Sequence, residues 1–314
     1  MNSSYFPLRV LRVFVVQGFF GAGIAAMDSS QGPEMERLPD DPQALVRRIR
    51  RRLCRETIDP ANLAHATQDG AVTSSVLLLL GMLPTAGGGS SQVHLILNER
   101  SRRVRQSGDI CCPGGAVEPR IDPLLARLPL LPSLGWWRRR SCLRELNRRD
   151  SGALRRLRLY WATCLRESWE EMRLNPFRVQ FLGVLPPQRL LLFRRVIQPL
   201  VGWVNGQNQF VPNWEVAKVV AIPLRELFDP RRHARYRMHV SPQLSRKINR
   251  RTEDFPCFLH QDGAQVDILW GATFRIVLLL VERLFGLRAP DPELLPIVPG
   301  LLDEGYINGR YQHP

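Results

Sequence analysis

Long apolar runs separated by proline, glycine and charged residues are the main pattern along this chain. Residues 72–83 are almost wholly apolar and are followed by Pro84, which predicts a buried strand. Residues 92–97 alternate between polar and apolar positions, as in the second strand of a hairpin. Further strand-like runs lie at residues 179–185, 197–204, 216–222, 255–260 and 266–270. The last two of these predict a second hairpin.

Helical spacing recurs in three other segments. Residues 41–53 place apolar side chains every three or four positions, which predicts an amphipathic helix packed on a core. A second helix is predicted from Leu154 or Leu157 to Arg173, just before an Asn-Pro pair that ends it. A third, at residues 274–285, is apolar but too short and too charged to span a bilayer. Because strands and helices mix along the chain, the predicted fold class is α/β.

The domain boundaries follow from where these patterns stop. Residues 1–41 read as an N-terminal extension and residues 42–288 as one domain. Residues 289–314 are rich in proline and glycine and predict a tail. Inside the domain, the basic run at residues 231–237 predicts a solvated loop.

The first 26 residues carry Arg9 and Arg12, then an apolar run, and no acidic residue. This composition indicates either a targeting segment or an over-extended start ahead of Met27. The six cysteines form no C-x-x-C pair, which favours reduced thiols in a cytosol-like compartment. The predicted location is therefore cytoplasmic, with organelle targeting through residues 1–26 as the alternative.

The charge of the chain narrows its partners. Its 44 Lys and Arg residues against 29 Asp and Glu residues give a formal charge of +15. Such a field favours anionic partners, whether a phosphorylated substrate, a nucleic acid or an anionic membrane surface, and it does not choose among them.

Three glutamates form the clearest candidate site. Glu167, Glu170 and Glu171 fall on one helix face within about a turn, where their mutual repulsion is costly. Hard oxygen ligands at this spacing suit Mg²⁺ or Mn²⁺. Arg166 stands beside them and can steady one carboxylate by a charge-assisted hydrogen bond. The alternative is a solvated acidic turn without a ligand.

The run R-E-x-x-E-E at residues 166–171, with Pro113-Gly114-Gly115 upstream, resembles the Nudix box of the Nudix hydrolase superfamily. Arg100-Ser101, Arg105 and Gly108 ahead of the glycine turn resemble the coenzyme A pyrophosphatase branch of that superfamily. Residues 212–216, which include Glu215, also resemble this branch. The resemblance implies an α/β/α sandwich with a mixed β-sheet.

The same resemblance implies a chemistry and its residues. A metal held by Glu167, Glu170 and Glu171 would serve hydrolysis of the diphosphate bond of coenzyme A, to phosphopantetheine and adenosine 3′,5′-bisphosphate. One carboxylate, such as Glu167, would help deprotonate water. The implied substrate-binding residues are Arg100, Arg105, Gly114, Gly115 and Glu215, with Arg166 in the catalytic set. Two alternatives are a pyrophosphatase for another nucleoside diphosphate derivative and an inactive Nudix-fold binding protein.

The chain departs from the family pattern at three positions. Arg158 stands where the Nudix box has its first acidic residue, and Asp122 and Glu118 are candidate replacements. Arg173 stands where the box carries a glycine, and Cys112 stands where the branch has phenylalanine.

A long arginine-rich insertion, about residues 119–156, precedes the glutamate helix. Residues 120–158 hold eleven arginines against three acidic residues. Three interpretations compete: a disordered basic excursion, a lid over the substrate, and a surface for an anionic membrane or nucleic acid. An amphipathic helix over residues 143–157 fits any of them.

Overall fold

A computed structural model describes residues 38–56, 58–60, 63, 72–84, 90–128, 141–190, 195–242, 252–288, 290–302 and 306. The candidate targeting segment, residues 1–26, and the middle of the insertion with Trp136 and Trp137 lie outside these residues. The helices within them are α1 (Pro42–Glu56), α2 (Asp122–Leu125), α3 (Ser141–Arg149), α4 (Ser151–Met172) and α5 (Gly271–Phe285). Among the described residues, no helix combines the length and the apolar composition needed to cross a bilayer.

The strands form two sheets. They are β1 (Val72–Leu83), β2 (Gln92–Arg100), β3 (Ile110–Cys111), β4 (Gly114–Ala116), β5 (Val179–Val184), β6 (Gln188–Leu190), β7 (Arg195–Val204), β8 (Val216–Pro223), β9 (His233–Val240), β10 (Thr252–Asp262), β11 (Gln265–Trp270) and β12 (Ile297–Leu302). The seven strands predicted from the sequence are all present, as are the three predicted helices.

The larger sheet has eight strands, with the order β3-β2-β1-β7-β5 and with β4, β6 and β8 attached to β1, β7 and β2. Its centre is β1, which pairs with β7 in parallel and with β2 and β4 in antiparallel fashion. The sheet is therefore mixed, as predicted.

Helices cover both faces of this sheet. On one face, Ile49 of α1 and Val277 of α5 share a buried cluster with Leu78 of β1. On the other face, Trp161 of α4 shares a second cluster with Leu77. Successive leucines of β1 thus point to opposite layers, and because both layers are apolar the strand has no polar face. The predicted α/β/α sandwich is confirmed.

The described part of the insertion is helical. Leu143 and Leu146 of α3 are buried in the same cluster as α4, and Cys142 forms a disulfide with Cys54 of α1. Disorder is therefore the wrong prediction for residues 141–156, which bury apolar side chains. The amphipathic helix predicted over residues 143–157 is divided between α3 and α4. Contact of the insertion with a membrane or nucleic acid stays a prediction.

The cysteine prediction needs the same correction. The expectation that every thiol is reduced is wrong for the disulfide pair, whose Cα atoms lie 5.8 Å apart. The pairing was not predictable because 88 residues separate the two cysteines and no spacing motif links them. The free cysteines are Cys111, Cys112, Cys164 and Cys257.

The smaller sheet, ordered β11-β10-β9-β12, corrects two further predictions. The basic run at residues 231–237 enters β9 and is not a loop, because Ala234 and Met238 are buried while Arg235 and Arg237 pair with Asp254 of β10. The predicted tail contains β12, which pairs with β9 in parallel. In β9 the alternating apolar positions are hard to recognise in the sequence because arginines lie between them.

Asp109 ties the loop after β2 to the smaller sheet. Its carboxylate accepts hydrogen bonds from the Tyr306 hydroxyl at 2.6 Å and the Trp270 indole at 3.1 Å. Burial raises the pKa of Asp109 from 3.8 to about 6, although both hydrogen bonds and the nearby Arg100 oppose the shift. The native fold therefore favours the protonated carboxyl.

This shift predicts how Asp109→Asn changes the pH dependence of stability. An acid whose pKa is raised on folding contributes stability that is complete below the unfolded pKa and is lost as the pH rises through the folded pKa. The free energy of unfolding of the Asn variant, relative to the parent, should thus rise by about 2 kcal/mol from pH 4 to pH 7. Urea titrations at both pH values measure it. A difference that does not change with pH would contradict the prediction.

Candidate active site

The candidate site is built on α4, which begins earlier than predicted. Asp150 caps the helix by accepting a hydrogen bond from the Ala153 amide at 2.9 Å. The helix ends at Arg173, whose φ of 57° and ψ of 34° are left-handed. Glycine adopts this conformation most easily, which explains why the Nudix box carries glycine there. In this chain the Arg173 guanidinium lies 5.2 Å from the Trp169 ring centroid, a cation–π contact that offsets part of the strain.

The glycine turn lies directly against this helix. β4 pairs with β1 so that Gly114 and Gly115 stand opposite Val76 and Ser75. A Cβ atom on Gly114, where φ is 142°, would lie under 3.0 Å from the Ser75 carbonyl oxygen. A Cβ atom on Gly115 would lie under 3.0 Å from the carboxylate of Glu167. Gly114 is therefore required by the backbone, whereas a side chain at Gly115 would displace the Glu167 carboxylate.

Glu171 is the most buried of the three glutamates. Its Oε2 accepts hydrogen bonds from the Asn98 amide at 3.0 Å and from the Gly114 backbone at 3.1 Å. Burial raises the pKa of Glu171 to about 8; the Gly114 hydrogen bond opposes this rise, and the nearby charges of Glu167 and Glu215 add to it. A bound cation would repay this cost of holding an ionised carboxylate away from water.

Arg166 binds the other two glutamates. Its guanidinium donates to Glu167 and to Glu170, each at 3.0 Å. The Glu170 side chain is half exposed, and that of Glu167 is mostly covered. Burial raises the pKa of Glu167, against the opposing charge of Arg166. The arginine thus orients two carboxylates from one point, as the sequence predicted for at least one.

Asp122 supplies the acidic partner that Arg158 cannot. Its buried carboxylate takes two hydrogen bonds from Arg166, at 2.7 and 3.2 Å, and one from the Thr163 hydroxyl at 2.8 Å. The hydrogen bond to Asp122 is the main reason why the pKa of Arg166 is raised. Of the two candidate replacements, Asp122 makes this contact, whereas Glu118 bonds Asp122 through backbone groups: its amide donates to the carboxylate at 2.7 Å and its carbonyl accepts from the Asp122 amide at 3.0 Å.

A cavity of about 70 Å³ opens beside Glu171. The residues that line it are Asn98, Arg100, Val104, Cys111, Glu171, Glu215 and Val216. Two predicted substrate-binding residues, Arg100 and Glu215, are thus brought to the cavity. Arg105 is not among its lining residues: its side chain is exposed, and its backbone carbonyl accepts a hydrogen bond from the Arg100 guanidinium at 2.8 Å.

The oxygen-rich donor set suits Mg²⁺ or Mn²⁺. Each glutamate has one carboxylate oxygen that is not used in its hydrogen bonds with Arg166, Asn98 or Gly114. The Asn98 side-chain oxygen is buried without a partner. In the part of the chain that the structure describes, no three His, Cys, Asp or Glu side chains are grouped so that they could hold a metal ion. Glu167 and Glu170 turn toward Arg166, while Glu171 turns toward Asn98 and Gly114. The metal assignment therefore stays a prediction.

Sequence reasoning missed Asn98 altogether. It lies on β2 just beyond the predicted strand at residues 92–97, beside Glu99 and Arg100, and no motif marked it. Asp122 was one of two candidate replacements for the acidic residue. The sequence could not choose between them, because the distance along the chain from Asp122 to Arg166 matches no motif.

No protein-family model matches the chain. An uncharacterized Nudix hydrolase, NudL of Pectobacterium atrosepticum, is 45% identical over 67 residues, which are 21% of this chain and 34% of that protein. The chain thus matches about a third of the length of this curated relative.

Solved structures similar to this one are also Nudix proteins. A Nudix hydrolase from M. smegmatis, RenU, has 14% identity and a TM-score of 0.30, covering 51% of this chain and 74% of its own. A MutT/nudix family protein from Enterococcus faecalis has 11% identity and a TM-score of 0.33, covering 76% and 73%. The curated relative, over the segment that it shares with this chain, confirms the predicted resemblance to the Nudix superfamily.

Proposed function

We propose that this chain is a metal-dependent hydrolase that cleaves the diphosphate bond of coenzyme A or a derivative, giving phosphopantetheine and adenosine 3′,5′-bisphosphate. The observation that carries the proposal is the joint contact of Arg166 with Glu167, Glu170 and buried Asp122, beside the glycine turn. The resemblance of residues 100–115 to the coenzyme A pyrophosphatase branch supports the choice of substrate.

The glutamates and Arg166 have different roles at the reacting phosphorus. Glu167, Glu170 and Glu171 would hold Mg²⁺ or Mn²⁺ through the carboxylate oxygens that do not bond to Arg166, Asn98 or Gly114. When bound, the cation supplies charge neutralisation for the diphosphate and acidifies a water molecule. Arg166 keeps Glu167 in place, and Glu167 accepts the proton from the attacking water as the water oxygen bonds to phosphorus and the bridging oxygen leaves.

Arg100 and Glu215 act from the cavity. The fixed fork of a guanidinium matches phosphate oxygens, so Arg100 binds the phosphate that is not attacked. Glu215 is held close to α4, because the amide of Asn213 donates to the Glu171 carbonyl at 2.8 Å. Its carboxylate therefore orients water or metal ligands in the same cavity.

A substrate panel tests the proposal. The purified chain is incubated with Mg²⁺ or Mn²⁺ and with coenzyme A, an acyl-coenzyme A, NADH or ADP-ribose, and the products are separated by chromatography. We expect phosphopantetheine from coenzyme A at the highest kcat/KM and no product with excess EDTA. Products from NADH or ADP-ribose alone would instead support another nucleoside diphosphate derivative, and no product at all would support a binding protein.

A further inference from the structure

Asn98 is buried at the edge of the candidate site with its backbone fixed on both sides. Only 1% of its surface is exposed. On β2 it stands opposite Cys111 of β3 and Val219 of β8. Its side chain lies on the same face of the strand as Ile96, which packs with α4, and it lines the cavity beside Glu171.

The two ends of its amide have different surroundings. The Nδ2 group donates to Glu171 at 3.0 Å, whereas the Oδ1 atom is buried and has no hydrogen-bond partner among the described residues. The reverse orientation would set the amide oxygen against the carboxylate oxygen, two acceptors in contact. A buried acceptor without a partner costs roughly 1–3 kcal/mol. Because Asn98 lines the cavity, a ligand bound there can supply the missing hydrogen bond.

The lining and the volume of the cavity limit the kind of ligand that can bind there. Two of its other polar side chains, Glu171 and Glu215, also need hydrogen-bond donors. The remaining two are Arg100, whose Nε already donates to the Arg105 carbonyl, and Cys111, whose thiol does not bond to the Asn98 oxygen. A volume of about 70 Å³ is the size of a few water molecules. Mg²⁺ and Mn²⁺ sites with carboxylate ligands keep several waters, each of which is a hydrogen-bond donor.

We propose that Asn98 is a positioning residue for a hydrated divalent cation: its amide N–H group fixes Glu171, and its Oδ1 atom accepts a hydrogen bond from a water of the cation. This inference rests on the proposed metal-dependent function and adds a residue to it. A neutral amide serves here because it can donate to Glu171 and accept from the water, which neither a carboxylate nor an apolar residue can do.

The test measures Mn²⁺ binding by electron paramagnetic resonance, without any substrate. Asn98→Leu keeps a similar volume but removes both hydrogen-bonding groups, and we expect it to weaken Mn²⁺ binding by about 10 to 100-fold, the usual effect of losing a partner of a metal ligand. Asn98→Asp keeps an acceptor oxygen and should bind Mn²⁺ more tightly than the Leu variant. Equal affinities for the parent and Asn98→Leu would overturn the proposal.

Gln198 provides a matched control. It is fully buried in the same sheet, donates its amide to the Leu185 carbonyl at 2.9 Å, and has a side-chain oxygen without a partner, but it does not line the cavity. Gln198→Leu should leave Mn²⁺ affinity at the parent value, so loss of binding there would overturn the assignment to Asn98. Failure of the parent chain to bind Mn²⁺ would instead overturn the metal-dependent function, and this inference with it.

Discussion

Replacing Glu171 by glutamine is expected to lower the rate of diphosphate hydrolysis by at least about 100-fold, because loss of a residue that merely orients a metal ligand already costs 10 to 100-fold. Glutamine keeps the volume and an oxygen that can accept from the Gly114 amide, which now stabilises Glu171. The fold should therefore persist while the charge that attracts the cation is gone. Steady-state kinetics with coenzyme A, alongside thermal unfolding, measure both quantities.

Glu170→Gln should reduce turnover to a similar extent, and its interpretation is simpler. Glu170 is half exposed and contacts Arg166 through one ion pair, so its replacement has little effect on packing. Glu145→Gln is a matched control, since Glu145 is an exposed helical glutamate paired only with Arg148 in the bonds described. Turnover of Glu170→Gln and Glu171→Gln equal to that of Glu145→Gln would remove the glutamates from the mechanism.

The sequence was sufficient for features that depend on local pattern. β1 was predictable because both of its faces are buried, which leaves an apolar run that no surface element has. The contact of Arg166 with Glu167 and Glu170 was predictable because a helix fixes which side chains lie near each other, whatever surrounds it. The same reasoning failed at residues 231–237, where arginines that pair with Asp254 dominate the composition and conceal the strand.

Features that depend on distant contacts were beyond local pattern. Asp122 reaches Arg166 across 44 residues, and Asn98 reaches the helical Glu171 from strand β2, so neither contact has a spacing to recognise. The Cys54–Cys142 disulfide belongs to the same class. Each of these pairs is fixed by how the elements pack, which the sequence determines only through the whole fold.

Replacing Gly115 by alanine is expected to lower turnover by about 100-fold through Glu167 alone, since small misplacements of catalytic groups cost rates of this order. A methyl group there would stand under 3.0 Å from the Glu167 carboxylate, so the carboxylate must move. Movement breaks its 3.0 Å contact with Arg166 and displaces the carboxylate that we propose as a metal ligand and proton acceptor. Activity should fall more than stability, because the flexible Glu167 side chain can move aside without disturbing the sheet.

Gly263→Ala distinguishes this effect from general destabilisation. Gly263 lies in the turn between β10 and β11, its φ is 58°, and nothing stands within 4 Å of an added Cβ atom. Its replacement should cost about 1 kcal/mol of stability from the left-handed backbone and leave turnover unchanged. A Gly115→Ala variant that kept parental kcat would show that Glu167 works from a different position, and the contact between the glycine turn and the glutamate helix would then have no part in catalysis.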